Sequence, residues 1–98
     1  MIIDIKKDGA KMTVSLSGRL DTTTAPKLEI ELRSSLDNVS DLVFDMDKLD
    51  YISSAGLRVL LASQKIMNDK GEMKLINVNE AVFEVFEVTG FSEILTIE

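Results

Sequence analysis

Two hydrophobic rhythms alternate along the chain, one of period two and one of period near four, and their order outlines a fold. Ile3 and Ile5 alternate with polar residues over 1–6, and Met12, Val14 and Leu16 do so again in the run KMTVSLSG. Such alternation suits strands with one buried face. Between them stands Asp8-Gly9, two residues that tolerate positive φ, which predicts a hairpin turn and therefore two antiparallel opening strands. Leu28, Leu32 and Leu36 then recur at every fourth position, the stripe of a core-facing helix. Thr24 is its expected N-cap, and Pro26 falls in the first turn, where a missing N–H costs nothing.

Residues 41–46, DLVFDM, carry Leu42, Val43 and Phe44 in succession, the pattern of a strand covered on both faces. A second helix is predicted over 55–68, stopped by Lys70-Gly71. Residues 72–78 read as another strand. Asn79 or Glu80 caps a third helix with the stripe Val82, Val85 and Phe86, closed by Gly90, and 94–97 form a short last strand. The predicted order is β-β-α-β-α-β-α-β. Strands alternating with helices imply parallel pairing, with the opening hairpin adding an antiparallel edge. The expected fold is a single α/β domain over residues 1–98, a small mixed β-sheet with helices packed on it.

Composition narrows the chemistry. The chain has no cysteine, hence no disulfide, thiol nucleophile or zinc ribbon. It has no histidine, which removes the commonest general base and most transition-metal sites. The net charge of −6 and the scattered cations, with only Lys6-Lys7 adjacent, argue against direct binding of nucleic acid or anionic lipid. No apolar run approaches a membrane span, and the charged start MIIDIKKDG is unlike a signal peptide, so a cytoplasmic location is expected.

The segment Asp50-Tyr51-Ile52-Ser53-Ser54-Ala55-Gly56-Leu57 stands between a predicted strand and a predicted helix, where α/β sheets usually receive ligands and partners. Ser53 or Ser54 is expected to cap the helix through its side-chain oxygen. A phosphate on such a serine would sit beside free N–H groups at the positive end of the helix dipole, tolerated locally while repelling an acidic or apolar partner. In the helix itself Leu57, Leu60, Leu61 and Met67 form one apolar stripe, and Ala55, Val59, Ala62 and Ile66 form another. One must face the sheet. The other packs under the first helix or serves as a partner surface, and spacing alone leaves both open, as it does a homodimer.

The run Ser53-Ser54-Ala55-Gly56-Leu57 is similar to the phosphorylation motif of STAS domains of the anti-sigma factor antagonist kind. Gly18-Arg19-Leu20-Asp21 followed by Thr24-Ala25, the apolar-acidic strand Val43-Phe44-Asp45, and Gly90-Phe91 near the end resemble further family segments in the right order. The resemblance implies that the unphosphorylated domain binds an anti-sigma factor, often itself an ATP-dependent serine kinase, and so frees a sigma factor. It implies Ser54 as phosphoacceptor, a separate phosphatase that resets it, no catalytic residue and no cofactor. The implied partner surface holds Asp21, Thr22, Ser53, Ser54, Ala55, Gly56, Arg58 and Val59. One departure stands out: the position before the acceptor, often Asp in the family, is Ser53, which offers a second hydroxyl. That departure gives some weight to an adaptor or scaffold subunit without a phosphoswitch, of the stressosome or lipid-transport kind.

Asp45-Met46-Asp47 mimics the paired carboxylates of haloacid-dehalogenase-type phosphatases, in which one acid attacks phosphorus and Mg²⁺ bridges. Lys48-Leu49 replaces the usual Gly-Thr, and two acids after a strand more often form a solvated turn. No glycine-rich phosphate loop with a following lysine exists.

Overall fold

The computed structural model describes residues 1–98. The opening alternation forms β1 (Ile2–Asp8) and β2 (Lys11–Leu20), antiparallel, with Asp8 paired to Lys11 across a two-residue turn. Gly9 takes φ +62 there, so the turn is Gly9-Ala10 and Asp8 belongs to the strand. Then follow α1 (Ala25–Ser35), β3 (Asp41–Ile52), α2 (Ser54–Asn68), β4 (Glu72–Ile76) and α3 (Glu80–Thr89). The sheet order is β1-β2-β3-β4, with β2–β3 and β3–β4 parallel. This is the mixed sheet that the alternating elements predict.

Met12, Val14 and Leu16 are fully buried while Thr13, Ser15 and Ser17 between them are only half-buried, so the core lies on one face of β2. Leu28, Leu32 and Leu36 from the α1 stripe, Leu57, Leu60 and Met67 from α2, and Val82 and Phe86 from α3 join Phe44 and Leu75 in one cluster. Burial of these side chains, each worth roughly 1.5–3 kcal/mol, is what holds helices to sheet. Val43 is buried outside that cluster; its register neighbours are Thr13 on β2 and Lys74 on β4. Burial of Val43 together with Leu42 and Phe44 agrees with the expectation of a strand covered on both faces.

Three boundaries differ from the sequence expectation. β3 runs six residues past Met46, because shifts in the β2–β3 register at Ser15/Ser17 and Gly18/Arg19 absorb the broken alternation. β4 stops at Ile76, where Asn77 turns left-handed at φ 58. The expected last strand is absent. Gly90, left-handed at φ 81, closes α3 and leads into a single 3₁₀ turn, Phe91–Glu93. What remains of the strand is one parallel bridge between Leu75 and Ile97.

Candidate functional site

The ends of β2 and β3 are tied by the Ser53 N–H, which donates to the Leu20 carbonyl at 2.9 Å. That bond sets the turn after β2 beside the start of α2. Ser53 is extended (φ −101, ψ 177), and its carbonyl accepts the first helical bond from Leu57 N–H at 3.0 Å. Its hydroxyl does not cap the helix: Ser53 Oγ is buried with no hydrogen-bond partner. Ser54 opens the helix and is exposed. The expected serine cap is thus not made by either residue. The two serines face different environments, one inward and one outward.

The following residues divide the same way. Gly56 is buried, and a Cβ there would stand 2.7 Å from Leu20 Cγ and 2.8 Å from Ile52 Cγ1. The glycine therefore lets α2 begin close against the strand ends. Ala55, Arg58 and Val59 line a shallow groove of about 380 Å³ with Thr22, Ala25, Pro26, Glu29 and Ile30, between the starts of α1 and α2. Val59 forms its floor at 4% exposure, while Ile30 stands 66% exposed at its side. The second α2 stripe is therefore split: Val59 packs between the helices, and Ile66 stays 43% exposed.

Asp21 closes the turn that leads into α1. Its Oδ1 accepts from the Thr23 hydroxyl at 2.7 Å and from the N–H groups of Thr23 and Thr24 at 3.0 and 3.2 Å. The Thr23 hydroxyl, then its N–H, hold the carboxyl below the usual range, and the Thr24 donors add to this against a small opposing effect of burial. Thr24, the expected N-cap, makes no side-chain cap bond. Its hydroxyl instead donates to the Arg19 carbonyl at 2.8 Å and accepts from Asp21 N–H at 2.9 Å. Asp21 Oδ2 faces Arg19 Nε at 3.8 Å, and the Arg19 guanidinium lies 4.1 Å from the centre of the Tyr51 ring.

Asp21, Thr22, Ser53, Ser54, Ala55, Arg58 and Val59 thus gather at the carboxyl ends of β2 and β3, with Gly56 beneath them. Sequence reasoning missed the Arg19–Tyr51 stack, which depends on a cross-strand register that spacing does not reveal. It also missed Ile30, although an isoleucine off the Leu28-Leu32-Leu36 stripe was a readable signal. Asp45 and Asp47 lie inside β3, in its irregular stretch, and not in a turn after it. Asp45 Oδ1 accepts from Asp47 N–H and Asn77 Nδ2, both at 3.1 Å. These are structural bonds, and no cluster of three or more potential metal ligands forms. No helix is long and apolar enough to cross a membrane.

Comparison with known proteins bears on the family and the fold. The family model described as STAS domain matches residues 2–98. The chain is 36% identical over 99 residues to BtrV of Bordetella bronchiseptica, provisionally named an anti-sigma factor antagonist, across 99% of this chain and 85% of that protein. It is 28% identical to the anti-sigma-B factor antagonist of Bacillus subtilis, across 97% of this chain and 88% of that protein. Among solved structures it superposes on the anti-sigma factor antagonist SpoIIAA in its unphosphorylated form with a TM-score of 0.79 at 15% identity, covering 99% of this chain and 87% of that one. The phosphorylated form of Bacillus SpoIIAA gives 0.78 at 15% identity, covering 99% and 91%.

Proposed function

Because the chain belongs to the STAS domain family, we propose that it is an anti-sigma factor antagonist whose partner binding is switched by phosphorylation of Ser54. The unphosphorylated domain binds an anti-sigma factor, a serine kinase of the ATPase type, at the groove between the starts of α1 and α2, and so releases a sigma factor in the cytoplasm. A phosphatase restores the binding form. The relatives named above are called antagonists of other proteins, not catalysts, and the role proposed is regulatory.

The observation that carries this reading is the contrast between the serines. Ser54 is exposed in the first turn of α2, beside the groove, whereas the Ser53 hydroxyl is buried. A kinase reaches the first and not the second. Phosphate at Ser54 would lie against the unbonded N–H groups of the first turn, which favour an anion. It would also stand one turn before Arg58, whose guanidinium lines the groove. Drawing Arg58 toward phosphate changes the charge and shape of the surface without unfolding anything.

Ser53, in place of the acidic residue often found before the acceptor, favours a second reading: an adaptor subunit that associates regardless of phosphate. Incubation with the cognate kinase and ATP separates the two. The switch predicts an intact-mass gain of one phosphate, none in Ser54→Ala, and loss of anti-sigma factor binding in Ser54→Asp. An unmodified chain, or full binding by Ser54→Asp, would leave the adaptor reading standing and remove the switch.

A further inference from the structure

The two edges of the sheet are finished differently. Along β4 the C-terminal segment covers the edge: Leu75 N–H donates to Thr96 O, Glu98 N–H donates to Leu75 O, both at 2.9 Å, and Lys74 meets Glu98 at 3.7 Å. β1 pairs only with β2, so its outer side is open over Ile2–Asp8. The two-residue turn closes on the Asp8–Lys11 pair, and alternation in an antiparallel ladder then turns the even residues of β1 toward β2. The N–H and C=O groups of Ile3, Ile5 and Lys7 point away from the sheet.

A second β1, antiparallel and related by a two-fold axis, fits this edge in one register. With Ile5 opposite Ile5, the outward groups meet as the pairs Ile3–Lys7, Ile5–Ile5 and Lys7–Ile3. Asp4 then lies opposite Lys6 of the second copy, and Lys6 opposite its Asp4. These are the closely spaced pairs that form no backbone bonds, where side chains lie nearest. Shifting the register one way sets Asp4 against Asp4. The other way sets Lys6 against Lys6 and Asp4 against Asp8. Of these three registers only the central one is free of like-charge pairs among these residues. Ile5, half-buried at the rim of the core, would gain cover from its own copy, and Ile3, likewise half-buried, from the aliphatic stem of Lys7 of the second copy.

We propose that the open edge of β1 is a homodimer interface, joining two copies into one continuous sheet through Asp4–Lys6 cross-strand pairs. Lysines on an edge strand usually keep edges apart. Here Lys6 has a matching aspartate at the self-paired position. Location also favours a second copy. Residues 1–11 hold Lys6, Lys7 and Lys11 against Asp4 and Asp8, a local excess of positive charge in a chain of net charge −6. The net negative charge that opposes self-association therefore lies outside this strand.

Sedimentation equilibrium from micromolar to millimolar protein, at low and high salt, tests the proposal. Wild type should dimerise reversibly and more weakly at high salt. Lys6→Asp and Asp4→Lys, each placing like charges opposite, should weaken association roughly tenfold or more. The exchange variant Asp4→Lys/Lys6→Asp should restore it. Amide hydrogen exchange should slow at Ile3, Ile5 and Lys7 as concentration rises. Far-UV circular dichroism verifies that these exposed substitutions leave the fold intact. A wild type that stays monomeric throughout, single variants that associate as tightly as wild type, or an exchange variant that fails to recover would each overturn it.

Discussion

Adding one methyl group at Gly56 tests how closely α2 is set against the strand ends. The new Cβ would lie 2.7 Å from Leu20 Cγ, 2.8 Å from Ile52 Cγ1 and 3.0 Å from Leu20 Cδ2. Comfortable carbon–carbon contact is about 3.5–4.0 Å, so roughly 1 Å of separation is missing. Leu20 is 0% exposed and Ile52 is 3% exposed, and Leu20 Cγ is a branch point, not a free end. Neither side chain has room to retreat. Overpacking costs ~1–3 kcal/mol, and contacts this short against side chains that cannot retreat fall in the upper part of that range, ~2–3 kcal/mol. Against it, alanine in place of glycine inside a helix gains at most about 1 kcal/mol. Gly56→Ala should therefore be destabilised by a net ~1–2 kcal/mol, lowering the urea midpoint by roughly 1 M for a domain of this size. Leu20→Ala supplies the control. It leaves a cavity and costs ~2–5 kcal/mol alone, but in that background two of the three short contacts are gone and Ile52 gains space to shift, so the Gly56 methyl should cost clearly less than in wild type. If Gly56→Ala matched wild type in stability, or cost the same in both backgrounds, close approach would not explain the glycine.

Gly71→Ala should be the harsher change, because its Cβ would fall 2.0 Å from the Ser40 carbonyl oxygen, which is itself engaged by Glu72 N–H at 2.9 Å. A loss of ~3 kcal/mol or more is expected in denaturant titrations, since backbone cannot yield as a side-chain tip can. Ser53→Ala should change stability by no more than ~0.5 kcal/mol in the same assay, as it removes a buried hydroxyl that bonds nothing, whereas a true capping serine would lose ~1 kcal/mol. Asp21, whose carboxyl is held below its ordinary value of 3.8 mainly by the Thr23 hydroxyl, stabilises the folded form fully above that pH. This contribution should disappear as pH falls through the lowered folded value, and Asp21→Asn should flatten that part of an acid titration followed by circular dichroism.

The amphipathic helices were legible because each has a private signal. Leu28, Leu32 and Leu36 sit at helical spacing, and all three are buried. Asn79 behaves as an N-cap should, accepting from Val82 N–H at 2.9 Å, and Gly90 closes the same helix left-handed. The last strand was misread because Ile94, Leu95 and Ile97 carry strand-like side chains. The N–H groups of Ile94 and Leu95 are committed instead to Phe91 O of the 3₁₀ turn Phe91–Glu93, local bonds that leave no periodic trace, and only Ile97 keeps a bridge to Leu75. Side-chain alternation reports which face is apolar; it does not count how many residues find a neighbouring strand to bond.

The same limit explains why the choice between Ser53 and Ser54 was open in the sequence. Both are serines, both adjoin the helix, and helix-capping preference treats them alike. What separates them is the phase in which β3 arrives. Leu49 and Ile52 are buried while Asp50 and Tyr51 are exposed, a spacing of three that plain alternation does not produce. It follows from the register shifts at Ser15/Ser17 and Gly18/Arg19, where β2 and β3 fall out of step. Ser53 then arrives extended, with its N–H tied to Leu20 and its hydroxyl turned in, and the helix starts one residue later with Ser54 outside. Which of the two hydroxyls stands in solvent is therefore tied to the strand irregularity upstream, not to the serines themselves.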